Sequence, residues 1–118
     1  MAEVISDKQR ELNRSLHASD ANFGSRPDAG GLTGNLHTAI TAMHTAGVCN
    51  SVLDYGTGKG SLVKRLRSEL TNTISIKGYD PAVSQWSDKP STPVDIVTCL
   101  DVLEHVEVHS LDAVLRDI

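Results

Sequence analysis

Three aspartates at the ends of predicted strands are the residues of this sequence best placed to bind a ligand. Asp54 closes a first apolar run just before a glycine-rich stretch, Asp80 closes a second run, and Asp101 closes a third. Ligands of open α/β sheets bind where the carboxyl ends of the strands meet. The sequence therefore predicts that three acids from three separate strands meet in one crevice.

The glycine-rich stretch after Asp54 narrows the class of ligand. A dinucleotide fingerprint would have its third glycine at the position of Ser61, and a P-loop would have serine or threonine directly after Lys59. The carboxylate of Asp54 would also repel a phosphate, whereas it suits a ligand that carries an amine. An NAD-binding half-domain stays as an alternative that the same two features disfavour. The glycines that would let the backbone approach the ligand are Gly56, Gly58 and Gly60.

Asp80 lies 20 residues after Gly60, close to the spacing at which α/β nucleotide folds place an acid at the end of the second strand. A carboxylate offers two oxygens and a ribose offers two adjacent hydroxyls, so the two groups match. We therefore predict that Asp80 holds a ribose. The alternative is an ordinary turn aspartate in front of Pro81.

Alternating helix and strand patterns would position these residues, and they predict an α/β fold. The class is a Rossmann-like three-layer sandwich with a short, mostly parallel sheet. The segment 82–93 is too short for a helix and a strand, so we expect a loop there and the second strand at an edge. The predicted strands are Ser51–Tyr55, Thr73–Tyr79 and Pro93–Leu100, and the predicted helices are 3–18, Asn35–Ala46, Ser61–Leu70 and one that Ser110 caps.

Two segments carry alternatives that the sequence leaves open. Residues 19–35 are rich in glycine, serine and aspartate, and they are either a linker or a mobile arm that covers the ligand. In the loop 82–93, Trp86 either stacks on a base or fills the core, and Asp88 is a candidate acceptor for an exocyclic amino group.

From Ser51 onward, the sequence resembles the class I S-adenosylmethionine-dependent methyltransferases, most closely their small phage and bacterial members. The resemblance is carried by the glycine-rich turn, by Tyr79-Asp80-Pro81 and by Asp101-Val102-Leu103-Glu104-His105. It implies S-adenosylmethionine as cofactor, with Asp54 orienting its ammonium and Asp80 holding its ribose. It further implies that carbonyls near Cys99 and Leu100 face the methionine amine.

The same resemblance implies methyl transfer to an acceptor that the sequence does not identify. Asp101 would border the acceptor, and His105 or His17 would be the candidate base; no catalytic residue is assigned more firmly. A set of Asp101, Glu104, His105 and His109 could in principle hold a divalent ion, but we predict no metal site. The alternative function is a non-catalytic S-adenosylmethionine-binding or nucleoside-binding fragment or subunit.

The resemblance also predicts a domain organisation. Residues 1–34 would be an N-terminal helix and mobile arm, and residues 35–118 would be a cofactor-binding domain that lacks the C-terminal part of the family fold. The strand Val94–Leu100 would then be an exposed edge, which a second copy or a partner chain would cover.

Composition bounds the remaining classes. The net charge of −4 argues against non-specific nucleic-acid binding. Cys49 and Cys99 are too few for a disulfide framework and are typical of buried thiols in a reducing compartment. No signal peptide or membrane-spanning run is visible, so a cytoplasmic protein is expected.

Overall fold

The computed structural model describes residues 3–19, 32–70 and 73–118, with side chains described from residue 35 in the second range. This part of the chain contains four α-helices and three strands in the order α1 (Asp7–Ser19), α2 (Leu32–Thr45), β1 (Ser51–Tyr55), α3 (Ser61–Glu69), β2 (Ser75–Tyr79), β3 (Ile96–Thr98) and α4 (Leu111–Asp117).

The three strands form one parallel sheet in the order β2-β1-β3. Val52 of β1 is in register with Ile76 on one side and with Ile96 on the other. From Val52 to Tyr55 every residue of β1 is buried, as expected for a central strand that is covered on both faces. β2 lies at one edge, which confirms the prediction from the short segment 82–93.

Each face of the sheet carries its own apolar core. On one face, α2 and α3 pack on the strands through Ile40, Leu62, Val63 and Leu66. On the other face, Val114 of α4 packs with side chains of β1 and β2 that include Leu53, Tyr55 and Tyr79. Helices on both faces of a parallel sheet give the predicted three layers.

Most predicted elements are confirmed with small shifts at their ends, and one needs correction. β1 has the predicted bounds, and α3 ends one residue early because Leu70 is extended. The third strand is much shorter than the predicted Pro93–Leu100, because it pairs only with Val52–Asp54 of β1. Just before it, the Asp95 carboxylate accepts the backbone N–H of Asn50, which holds the strand entrance.

The N-terminal predictions are tested only in part. The expected arm at 19–35 falls mainly on residues outside the described ranges, and the division at residue 34 stays a prediction. In the segment predicted as the first helix, Ile5 is buried before α1 begins, whereas Leu12 is 51% exposed. The loop 82–93 contains a single 3₁₀ turn at Ser84–Trp86 and otherwise no helix or strand.

Candidate functional site

The glycine-rich turn joins the end of β1 to the end of β2. The backbone N–H groups of Gly56 and Thr57 both donate to the carbonyl oxygen of Tyr79, at 2.8 and 3.0 Å. Gly56, Gly58 and Gly60 all have a positive φ, of 74°, 59° and 77°. These conformations strain any residue with a Cβ, so the turn depends on glycine at these positions.

Two of these glycines also make room for other parts of the protein. A Cβ on Gly56 would lie 2.4 Å from a methyl group of Val102, and a Cβ on Gly60 would lie 2.4 Å from the Trp86 ring. The close approach predicted for a ligand is therefore, at these two positions, an approach of protein segments. Gly58 differs, because its backbone N–H points to the carboxylate of Asp80.

Asp80 is fixed by hydrogen bonds to both of its carboxylate oxygens. Oδ2 accepts the backbone N–H of Gly58 at 2.9 Å, and Oδ1 accepts the backbone N–H of Ala82 at 2.9 Å. The second bond is the turn role that the sequence left as the alternative. An ionised carboxylate has about four acceptor sites, so the two bonds orient the group without exhausting it.

A cavity of about 480 Å³ opens beside this carboxylate, within the usual range for a small-molecule site. Tyr55, Gly56, Gly58 and Asp80 form one part of its lining, at the carboxyl ends of β1 and β2. Asp101 and the residues after it form a second part. The N-terminal segment with α1 forms a third part. The lining residues not yet named are Val4, Ile5, Gln9, Asn13, Leu16, His17, Pro81, Val102, His105, Val106, Glu107 and Val114.

Asp54 does not reach this cavity, so the predicted meeting of three acids is wrong at this residue. Its side chain is 0% exposed, and its Oδ1 accepts a hydrogen bond from the Thr98 hydroxyl at 2.8 Å. Asp54 is in register with Gly78 and with Thr98, one residue before the strand end. Because β1 is buried on both faces, an acid on it can face the interior rather than the crevice.

Asp101 and His105 line the cavity on the segment that follows β3. Asp101 has a φ of 54°, a left-handed conformation that aspartate tolerates better than most residues. His105 has a side chain that is 72% exposed, and its Nε2 lies 4.0 Å from a Glu104 oxygen. His109 instead faces Glu107, at 3.9 Å. Within the described ranges, no three metal-binding side chains are grouped to hold an ion.

The remaining predicted site residues lie outside the cavity lining. Trp86 packs partly buried against the first core, and the Arg67 guanidinium lies 5.8 Å from its ring centroid. Asp88 is exposed. Cys99 packs against the second core and Leu100 against the first. The structure thus groups Gly56, Gly58, Asp80, Asp101, His105 and His17, and it separates them from Gly60, Trp86, Asp88, Cys99 and Leu100.

Apart from His17, the wall that α1 contributes was missed by the sequence reasoning. Gln9, Asn13 and His17 are spaced by four residues, so they lie along one face of the helix. The side-chain amide of Gln9 donates to the Asn13 side-chain oxygen at 2.8 Å. The spacing of these polar residues was the available signal, but a polar stripe alone does not show what the helix packs against.

α1 is held over the cavity at both ends. At its start, the backbone N–H and the hydroxyl of Ser6 donate to the two oxygens of Glu107, at 2.9 and 2.6 Å. The Ser6 hydroxyl oxygen also accepts the backbone N–H of Gln9, which caps the helix. The hydroxyl bond, followed by the backbone bond, lowers the pKa of Glu107. At the other end, the Lys59 ammonium donates to the carbonyl oxygen of His17 at 3.2 Å.

Tyr55 links the cavity to α4. Its hydroxyl donates to Asp117 at 2.7 Å, and Asp117 also pairs with the Lys89 ammonium. Burial, followed by the hydrogen bond to Asp117, raises the pKa of Tyr55 far above its usual value. The rings of Tyr55 and Tyr79 meet edge to face, with centroids 5.3 Å apart. These contacts fix the strand ends that carry the glycine-rich turn.

The fold and the site define a class of protein: a Rossmann-like α/β domain with a small-molecule cavity at the carboxyl ends of its strands. Comparison of the sequence with family models gives a match to the methyltransferase domain family over residues 7–118, so the chain belongs to that family. The match confirms the resemblance to class I S-adenosylmethionine-dependent methyltransferases. The matched residues include α1.

The other comparisons add no relative. Searches of curated proteins and of solved structures found no match to the chain. In the described ranges, no helix has the length and apolar character needed to cross a membrane.

Proposed function

We propose that the chain binds S-adenosylmethionine in the cavity beside Asp80 and transfers its methyl group to an acceptor bound in the same cavity. The cofactor would supply an electrophilic methyl group on a sulfonium. The observation that carries the proposal is the Asp80 carboxylate, which Gly58 and Ala82 orient at the cavity wall of a methyltransferase-family chain.

In this proposal Asp80 receives the ribose hydroxyls. Two backbone N–H groups fix the position of its oxygens before the ligand arrives, so little ordering is needed on binding. The turn at Gly56 and Gly58 would accommodate the amino-acid part of the cofactor. The predicted contributions of Asp54, Cys99 and Leu100 would then be indirect, because their side chains do not line the cavity.

The acceptor would lie beside the cofactor, and Asp101 and His105 of the cavity lining are the candidates for contact with it. The chain would act mainly by proximity and orientation, since holding two reactants in line supplies much of the barrier reduction in such reactions. His105 would be the candidate to take up a proton from an acceptor that must lose one.

The test is calorimetric titration of S-adenosylhomocysteine into the 118-residue protein and into Asp80→Ala, with far-UV circular dichroism to verify folding. Loss of the ribose contacts should weaken binding by at least about tenfold, or 1.4 kcal/mol. Asp112→Ala, an exposed acid on α4, is the matched control and should bind like the wild type. Equal binding by Asp80→Ala and the control would refute the assigned role of Asp80.

The second candidate is cofactor or nucleoside binding without catalysis, and the exposure of His105 and Asp101 favours it. An acceptor site open to water is poorly suited to catalysis, which relies on excluding solvent. Methyl transfer from labelled S-adenosylmethionine to a fraction of a metabolite extract would favour the enzyme. Tight binding of S-adenosylhomocysteine without transfer to any fraction would favour the binding module.

A further inference from the structure

The part of the cavity lining that α1 forms differs chemically from the strand ends, and the function proposed above does not use it. The strand-end side carries Gly56, Gly58 and Asp80. Another part of the lining is the wall formed by α1, on which Gln9, Asn13 and His17 follow each other at intervals of four residues. These positions are half-buried, whereas Ser15 of the same helix is exposed, so the stripe is the inward face of α1.

The Gln9–Asn13 pair offers neutral hydrogen-bonding groups to the cavity. The bond between them uses one N–H of Gln9 and the oxygen of Asn13. The Gln9 oxygen remains as an acceptor and the Asn13 amide group as a donor. A ligand hydroxyl, amine or amide can form hydrogen bonds with these two side chains, and none of these ligand groups is negatively charged.

The charges of the lining act against an anionic ligand. Three carboxylates line the cavity, those of Asp80, Asp101 and Glu107, and the described residues of the lining include no lysine or arginine. The nearby Lys59 ammonium is directed to the His17 carbonyl oxygen and does not line the cavity. These carboxylates oppose an acceptor that brings net negative charge into a partly desolvated site, whereas the carboxylate of the cofactor is offset by the cofactor's own ammonium.

The rest of the lining is aliphatic and comes from several segments of the chain. Small-molecule sites typically combine such apolar surface with a few polar groups that fix orientation. The aliphatic lining residues are Val4, Ile5, Leu16, Val102, Val106 and Val114.

We propose that α1 forms the acceptor wall, with Gln9 and Asn13 as specificity-determining residues, and that the acceptor is a small, partly apolar molecule that is neutral or cationic. This inference rests on the proposed function, which places the cofactor beside Asp80. It excludes as acceptors nucleic acids and those phosphorylated or carboxylated metabolites that lack a compensating cation, because each would bring net negative charge among three carboxylates.

Three probes of similar size test the charge selection directly: 2-phenylethylamine, 2-phenylethanol and phenylacetate. Each is titrated into the full chain loaded with S-adenosylhomocysteine, at about pH 8, where an ordinary imidazole is neutral. The amine and the alcohol should bind, and phenylacetate should bind at least about tenfold more weakly. Equal or tighter binding of phenylacetate overturns the proposal, as does the absence of binding by all three probes.

A pair of variants on α1 tests the role of the wall. Asn13→Lys adds a cation inside the cavity. It should lower the ratio of the affinity for 2-phenylethylamine to the affinity for phenylacetate by at least about fivefold. Ser15→Lys adds the same charge on the exposed face and should leave this ratio of affinities unchanged. Identical probe preferences in the two folded variants overturn the assignment of α1; if Asn13→Lys does not fold, the wild-type series still decides on the acceptor class.

The cofactor titration separates this proposal from the function on which it rests. If S-adenosylhomocysteine does not bind, the proposed function fails, and the probes are then titrated into the protein alone. The same order of affinities there would still support a neutral or cationic ligand at the α1 wall, and the reverse order would overturn it.

Discussion

The Glu107 carboxylate accepts two hydrogen bonds from Ser6, a residue 101 positions earlier in the chain. In an ordinary capping box, the acid that returns to the capping serine comes from the first turn of the same helix. Here the acid comes from the segment after β3, which also carries His105 and Val106. One carboxylate therefore joins the start of α1 to the segment after β3, and both line the cavity.

Glu107→Gln should loosen α1, because the amide removes the charge and one acceptor from the contact with Ser6. Amide hydrogen exchange at neutral pH should accelerate several-fold in residues 7–19 and stay unchanged in α3. Glu104→Gln changes a neighbouring exposed acid and is the control. Unchanged exchange in α1 would mean that the helix is held by its other contacts alone.

The same contact predicts a dependence on pH. The Ser6 hydrogen bonds lower the pKa of Glu107 below its usual 4.5, so their contribution is complete above that pH and is lost as the pH falls through the lowered value. The amide NMR signals of Ser6 and Gln9 should shift together between about pH 5 and pH 2. In Glu107→Gln this transition should be missing; its persistence would assign it to another group.

Gly60→Ala and Gly47→Ala separate backbone strain from packing. Both glycines have a φ near 80°, but a Cβ at Gly47 has no atom within 4 Å, whereas one at Gly60 meets Trp86. Urea unfolding should show a loss of about 1 kcal/mol for Gly47→Ala and at least about 2 kcal/mol more for Gly60→Ala. Equal losses would show that Trp86 moves aside without cost.

Thr98→Val should destabilise the fold because it leaves the buried Asp54 carboxyl without the Thr98 hydroxyl. The expected loss in the free energy of unfolding is about 1.5–3 kcal/mol by urea titration. Thr98→Ser retains the hydroxyl and should lose much less. If both variants lose the same amount, the effect comes from the missing methyl packing rather than from the hydrogen bond.

The edge of the sheet at β3 leads to a prediction about assembly. β3 pairs with β1 alone among the described strands, and Leu111, Leu115 and Ile118 form an exposed apolar stripe along α4. A second copy that covers this region would give light scattering at twice the chain mass of 12.7 kDa. Leu115→Lys should then yield a monomer, whereas Leu12→Lys on α1 should not. A monomeric wild type would contradict the expected dimer.

The sequence predicted the elements whose signals are local. β1 is an apolar run that stops at Gly56, and α3 follows the spacing of Leu62, Val63 and Leu66. The length of β3 could not be predicted from such local signals, because the apolar run extends beyond the three residues that pair with β1. Pairing between strands, and not local preference, sets where it ends.

The predicted site residues divide into those that line the cavity and those that do not. Asp80 was singled out by its spacing to the glycines and it lines the cavity, and its contact with a ribose stays a prediction. Asp54 sits on a strand buried on both faces, so its sequence position does not tell which way it points. The α1 wall depends on contacts across about a hundred residues, which no local pattern encodes.

The most direct test of the central claim is an NMR titration of the ¹⁵N-labelled chain with S-adenosylhomocysteine. The account predicts saturable shifts for the amides of Gly56, Gly58 and Asp80, with α4's outer surface near Asp112 unaffected. Saturable shifts that avoid the glycine-rich turn and Asp80, or no shifts in a folded sample, would contradict the proposed cofactor site.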